Sequence, residues 1–252
     1  MPDLTPEAAE VLDREREFHN ERFADEEARA AQGKYYFAIR DCDETYEAAL
    51  VEHARGAVAL DYGCALGDYA LKLAPIAKEV QGIDISDVAI EAAKESAKAQ
   101  GLTNAHFSVM DAQATSFPDA YFDFVFGIGI IHHLETERSL REVARILKPG
   151  GVAIFREPLG GNPIIDLYRA FTPQARTVDE HPLRRADLEI SRKIFSRSDW
   201  RFYGLATLAS VPLRNSVLGD AAFKATAALD RLLFKLPPMR WMAWNALMVM
   251  EK

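Results

Sequence analysis

Between residues 57 and 155 the chain alternates short apolar runs with stretches of helical spacing, and that alternation narrows the fold more than any single motif. The runs at 57–60, 79–85, 105–109, 122–131 and 151–155 have the length and the β-branched or aromatic content of strands. Residues 65–77, 87–100 and 135–147 between them carry helical spacing. Ser86 is placed to cap the second of these helices and Gly101 to stop it, while Lys148-Pro149-Gly150-Gly151 ends the third. A repeated strand, helix, strand pattern predicts a parallel sheet with helices on both faces. The run FDFVFGIGII (122–131) is apolar throughout, as a strand covered on both sides must be.

The first strand runs into LDYGCALGDYA (60–70), where Asp61, Gly63, Ala65 and Gly67 follow a D-x-G-x-A-x-G spacing. A strand, a glycine-containing turn and a helix bring bare main chain and N–H groups up to a ligand. The spacing is not the G-x-G-x-x-G that receives a pyrophosphate, and a carboxylate here suits a cationic or hydroxyl-rich ligand better than a phosphate. Three successive strands end on an acid: Asp61, Asp84 and Asp111. Ligands of open α/β sheets bind beyond the carboxyl ends of the strands, where Asp84 could accept from both hydroxyls of a ribose and Asp111 from an adenine amino group. Each acid taken singly could equally be a cap or a solvated turn residue.

On either side the pattern changes. Residues 7–31 are rich in Ala, Glu and Arg and predict a helix, and 34–53 predict a second that opens on Tyr35, Tyr36, Phe37 and Ile39. Those aromatics read as core or as a cap over the glycine turn. After strand five, Pro158, Pro163, Pro173 and Pro182 and several arginines interrupt any strand, so 156–198 is expected to be an irregular lid over a substrate pocket. Strands are expected at 200–209 and 241–250 with a helix at 218–233 between them. The expected division is an N-terminal helical cap at 1–55 and one α/β domain at 56–252 that carries the lid.

The formal net charge of −8 over 252 residues argues against sequence-independent nucleic-acid binding, which needs a basic surface. Two cysteines, Cys42 and Cys64, and a polar start without signal-peptide character point to a reduced, cytoplasmic protein with no structural disulfide and no cysteine-based zinc site. No apolar stretch is long enough to span a bilayer; residues 217–244 are apolar-rich but broken by Asp220, Lys224, Asp230, Arg231, Lys235 and Arg240.

The motifs together resemble the class I S-adenosylmethionine-dependent methyltransferases, most closely their small-molecule type 11 group. The resemblance rests on LDYGCALGD (60–68), GIDIS (82–86), MDAQATSFPDAYFDFVFGIGIIHHL (110–134) and LKPGG (147–151), and covers about 58–158. One departure is Ala65, where many members carry a glycine. The resemblance implies a Rossmann-like, seven-stranded, mostly parallel sheet whose antiparallel seventh strand lies between the fifth and sixth. It implies S-adenosylmethionine as cofactor, S-adenosylhomocysteine as product, and no metal. Asp61 would face the methionine amino group, with Gly63, Cys64, Ala65 and Gly67 forming the turn that the cofactor approaches. Asp84 would hold the ribose, Ile85 would lie against the adenine, Asp111 and Ala112 would recognise the adenine edge, and Gly127 and Ile128 would border the methionine moiety.

Methyl transfer from a sulfonium needs alignment and exclusion of water, and a base only if the acceptor must lose a proton. His132 and His181 are the candidate bases, although His132 reads first as a structural histidine at the turn after strand four, His181 could equally be a lid histidine paired with Asp179 or Glu180, and His133 has the stronger case for a structural role. Tyr35, Tyr36, His132, Glu157, Tyr168 and His181 are the candidate acceptor-side residues. Cys64 has no nucleophilic task in this chemistry. The expected acceptor is a small organic molecule, and the protein a monomer or homodimer. Methylation of tRNA or protein, a nicotinamide dehydrogenase on a similar sheet, and a cofactor-binding protein without transfer activity are the competing readings.

Overall fold

The computed structural model describes residues 6–24, 33–172 and 180–252. Seven strands, β1 (Val58–Tyr62), β2 (Glu79–Asp84), β3 (Ala105–Val109), β4 (Phe122–Ile128), β5 (Leu147–Pro158), β6 (Arg197–Tyr203) and β7 (Asn245–Glu251), form one sheet in the order β3-β2-β1-β4-β5-β7-β6. The first five strands are parallel, and β7 runs antiparallel to both β5 and β6. The order reverses between β1 and β4, the switch point at which open α/β sheets bind ligands.

The helices among the described residues are α1 (Pro6–Ala24), α2 (Gly33–Tyr36), α3 (Arg40–Ala54), α4 (Asp68–Leu73), α5 (Asp87–Ala99), α6 (Thr136–Ile146), α7 (Pro163–Phe171), α8 (Arg185–Ile194), α9 (Gly219–Leu233) and α10 (Pro237–Arg240). Alternating side chains divide the sheet between two cores. Ala59, Phe124 and Phe126 face Tyr46 and Leu50 of α3, Leu73 of α4 and Ile90 of α5. Leu60, Tyr62, Val125 and Phe155 face Leu140, Val143 and Ile146 of α6. Each fully buried aromatic contributes about 1.5–3 kcal/mol relative to exposure, so both faces hold the sheet firmly beneath the strand ends.

Local chemistry sets the boundaries. Ser86 caps α5 by accepting from the Ala89 N–H at 3.0 Å, and Glu135 caps α6 by accepting from Glu137 and Arg138. The helix expected at 65–77 is confined to Asp68–Leu73, because Gly63, Ala65 and Gly67 hold φ of 79°, 48° and 80°, outside any helix. Strand four stops at Ile128 rather than 131, since Gly129 at φ 62° turns the chain into a 3-10 turn at Ile131–His133. Strand six runs Arg197–Tyr203 rather than 200–209; Gly204 ends it at φ 82°, where a Cβ would lie 2.8 Å from Ile39. Strand seven is Asn245–Glu251, four residues later at its start than expected, with α10 before it.

The flanks also differ from expectation. The stretch 156–198 is more ordered than an irregular lid: β5 continues to Pro158, α7 and α8 follow, and β6 begins at Arg197. A parallel bridge between Leu159 and Leu183 closes the segment on itself. Of the helix expected at 7–31, Pro6–Ala24 is helical and 25–32 lie outside the described residues. Within the stretch read as a cap, α3 is a layer of the core whereas α1 lies against α5, tied by Asn20 donating to Asp87 at 2.9 Å and Ser86 donating to Asn20. Among the described residues no helix is long and apolar enough to cross a membrane.

Candidate functional site

A cavity of about 550 Å³ opens beyond the carboxyl ends of β1, β2, β3 and β4, with α1 forming its outer wall. Its floor is the turn after β1. Gly63 and Cys64 both donate to the Ile83 carbonyl, at 2.9 and 2.8 Å, so the turn is clamped to the end of β2. Ala65 donates to Asp84 Oδ2 at 2.9 Å and Ser86 donates to Oδ1 at 2.9 Å. Two backbone donors thus fix the Asp84 carboxylate, while its remaining lone pairs are available at the cavity wall. Asp111 is set by the Gln113 N–H donating to Oδ1 at 2.8 Å, and the Tyr62 hydroxyl donates to the Ala112 carbonyl.

Of the residues that the sequence singles out for a cofactor, Gly63, Ala65, Asp84, Ile85, Asp111, Ala112 and Ile128 line this cavity. Asp61, Cys64, Gly67 and Gly127 do not, and each has a visible structural task. Asp61 is buried beneath the turn and accepts from the Ala70 N–H at 3.1 Å, capping α4; burial pushes its carboxyl up to about 8, with the Ala70 bond opposing. The Cys64 thiol is buried and raised by that burial, which removes thiolate character. A Cβ on Gly67 would lie 2.8 Å from the Phe107 ring, and one on Gly127 2.6 Å from the Tyr62 carbonyl oxygen. Both glycines therefore serve close packing of the strands and turn.

The acceptor-side candidates separate similarly. Glu157 is completely buried, and one of its oxygens accepts from Ile130 and Ile131 at 3.0 and 2.9 Å. Its other oxygen lies 2.8 Å from His132 Nδ1. Glu157 therefore holds the turn after β4 and orients His132, an arrangement the sequence did not reveal because β5 brings Glu157 beside that turn. His181 meets His132 through the backbone, its N–H donating to the His132 carbonyl at 2.8 Å. Tyr35 and Tyr36 pack against Trp244, at centroid distances of 6.5 and 6.2 Å, and are not among the residues of this cavity wall. Tyr168 falls on α7, but its side chain lies outside the described residues.

Glu15 and His19 of α1, which sequence reasoning did not single out, and His133, which it read as structural, also line the wall. Glu15 Oε2 lies 3.4 Å from His19 Nε2 and 3.1 Å from His133 Nδ1. Burial lowers the His133 pKa, His132 adding to the effect and Glu15 opposing it, so the imidazole is held neutral. The available signal was the i, i+4 spacing of Glu15 and His19, which sets both on one helix face.

The strand order, the reversed β7 and a cavity walled by acids at successive strand ends define an α/β domain of the methyltransferase type. Residues 59–151 match the family described as a methyltransferase domain. Over those residues the chain carries a methyltransferase domain, similar to those of the class I S-adenosylmethionine-dependent methyltransferases. Similar relatives include the demethylmenaquinone methyltransferase of Geobacillus kaustophilus (strain HTA426), 34% identical over 107 residues, which are 41% of this chain and 46% of that one. Another is the 27-O-demethylrifamycin SV methyltransferase of Amycolatopsis mediterranei (strain S699), 38% identical over 96 residues, 36% of this chain and 35% of that one. The match thus spans less than half the length of either relative. Among solved structures, the YcgJ protein of Bacillus subtilis shares the fold with a TM-score of 0.57 at 17% identity, over 83% of this chain and 97% of that one.

Proposed function

We propose that this protein transfers the methyl group of S-adenosylmethionine to a small organic acceptor, at an O, N, S or C nucleophile, by in-line displacement. The observation that carries the reading is the pair of carboxylates, Asp84 and Asp111, fixed by backbone donors at successive strand ends and lining one cavity with Ile85, Ala112 and Ile128. That donor set fits a nucleoside: a carboxylate with spare lone pairs for ribose hydroxyls, a second acid for an exocyclic amine, and apolar walls for a base. The cavity volume lies in the range of sites that enclose ligands of such size. Demethylmenaquinone and 27-O-demethylrifamycin SV, named for two relatives, are small molecules, which supports a small acceptor.

When bound, the cofactor supplies an electrophilic sulfonium methyl group. The chain's own contribution is position and exclusion of water. Asp84 holds the ribose, Asp111 and Ala112 the adenine edge, and the Gly63 to Ala65 turn admits the amino-acid tail. Asp61, buried beneath that turn, fixes it through the Ala70 N–H. His132, oriented by Glu157, and His181 stand on the acceptor side, with 156–198 as the covering lid and 1–55 as the helical cap. The reading places the protein in the cytoplasm, supported by two free cysteines, and takes it as a monomer or homodimer.

The decisive experiment is calorimetry with S-adenosylhomocysteine on the wild type and Asp84→Ala. Loss of charge-assisted hydrogen bonds, at about 1.5–3 kcal/mol each, should weaken binding by at least about tenfold. Unchanged affinity in the variant, or tighter binding of NADH than of S-adenosylhomocysteine by the wild type, would overturn the proposal.

A further inference from the structure

We propose that Glu15, His19 and His133 form a site for a divalent transition-metal ion in the wall of the cavity, with an open coordination position for the methyl acceptor. The metal-binding half stands on its own geometry; the role of the ion rests on the methyltransferase reading.

The ligand atoms of the three side chains all lie within 4.8 Å of one another. Glu15 Oε2 is 3.4 Å from His19 Nε2 and 3.1 Å from His133 Nδ1. Ligands at about 2.0–2.1 Å from one ion are separated by about 3.3 Å when tetrahedral and about 2.9 Å when octahedral, so the 3.1 Å separation falls between these edges and the 3.4 Å one close to the tetrahedral edge. The third pair, His19 and His133, lies within 4.8 Å, so the three ligand atoms converge on one point of the cavity wall.

The fold explains why the three meet. Glu15 and His19 are one turn apart on the face of α1 that looks into the cavity, and His133 ends the 3-10 turn after β4. An ion there would staple α1 to the sheet across the cavity. All three ligands also line that cavity, so the vacant position of a three-ligand site can open toward whatever occupies it. Two imidazoles and one carboxylate suit zinc, iron, cobalt or nickel in the divalent state, and not calcium or magnesium. His132 and Glu180 extend the cluster on the other side of His133, their ligand atoms again within 4.8 Å. They are available to orient the ligands from outside.

Such a site names the acceptor class: a hydroxyl or amine whose O or N can coordinate. Coordination lowers the pKa of that group, so its O–H or N–H proton passes to water while the lone pair stays on the heteroatom. That lone pair then forms the bond to the methyl carbon. The S–C bond breaks, its electron pair goes to sulfur, and the sulfonium becomes a neutral thioether.

The test uses the full chain freed of metal by a chelator and titrated with Co²⁺ while the visible ligand-field bands are followed. One equivalent should bind with four- or five-coordinate band intensity. Glu15→Gln, His19→Ala and His133→Ala should each weaken binding at least tenfold, and Glu10→Gln, on an exposed position of the same helix, should not. X-ray absorption of the zinc-loaded wild type supplies a readout independent of variants that fail to fold: it should show an N/O shell near 2.0–2.1 Å with imidazole scattering. Absence of stoichiometric bands, a sulfur shell, or affinity unchanged in the folded variants would overturn the site. Calorimetry with S-adenosylhomocysteine on the same samples separates the two proposals. A wild type that binds it but no metal loses only the ion, and one that binds metal but no S-adenosylhomocysteine loses only the methyltransferase reading.

Discussion

Replacing Asp61 by Asn should remove a pH dependence built into the fold. Asp61 is buried beneath the glycine turn with its carboxyl pushed up to about 8 from an ordinary 3.8. The unfolded chain therefore releases this proton near pH 4 while the folded chain keeps it up to about pH 8. The native state binds more protons than the unfolded state throughout that window, so stability falls as pH rises. Below 3.8 the contribution is fully present; by pH 8 it is gone. Between pH 5 and pH 7 the loss amounts to about 2.5 kcal/mol, at 1.36 kcal/mol for each pH unit. Asparagine keeps an oxygen to accept from the Ala70 N–H and, like the protonated acid, carries a donor on the second position, but it does not titrate. Urea unfolding of both proteins at pH 5 and pH 7, without cofactor, isolates the term as the difference of differences. Asp61→Asn should gain about 2.5 kcal/mol on the wild type over that interval, a relative shift in Tm of about 5–10 °C. A difference between the two proteins that is equal at pH 5 and pH 7 would refute the reasoning.

Three further outcomes follow from the same geometry. Ala65 sits at φ 48°, which a residue with a Cβ adopts at a cost of about 1–2 kcal/mol, partly offset by the greater freedom of glycine when unfolded; Ala65→Gly should raise stability by about 0.5–1 kcal/mol in urea, and a loss would show the turn to be unstrained. Gly67→Ala combines φ 80° with a Cβ 2.8 Å from the Phe107 ring, so stability should fall by about 2–4 kcal/mol through strain and overpacking, with neutrality contradicting the packing assigned to it. Glu157→Gln places an amide N–H₂ where only an acceptor serves Ile130, Ile131 and His132 together, and should cost about 2–3 kcal/mol and release the His132 ring, seen as a changed imidazole NMR shift.

Much of the cavity floor was legible because its signals are local. Strand ends, caps and positive-φ turns depend on neighbours in sequence: Ser86 caps α5, and Asp84 and Asp111 stand at strand ends as their positions imply. The same locality does not show the packing that a glycine serves. Gly67 and Gly127 read as approach points for a ligand, yet each is fixed by a group distant in sequence, Phe107 and the Tyr62 carbonyl. Asp61 read as a carboxylate aimed at a ligand, and only the fold reveals the Ala70 bond and the burial that keep its proton on.

The sequence by itself determined the alternating α/β architecture, the turn after β1 and the acids at the strand ends, because periodicity, capping and backbone stereochemistry act over a few residues. The tertiary structure alone decided the partners of each charge. It brought Glu157 from β5 against His132, and laid α1 across the strand ends so that Glu15 and His19 meet His133 more than a hundred residues away. No pattern in the chain encodes such a meeting, since it depends on where packing of the two cores leaves the end of the sheet open.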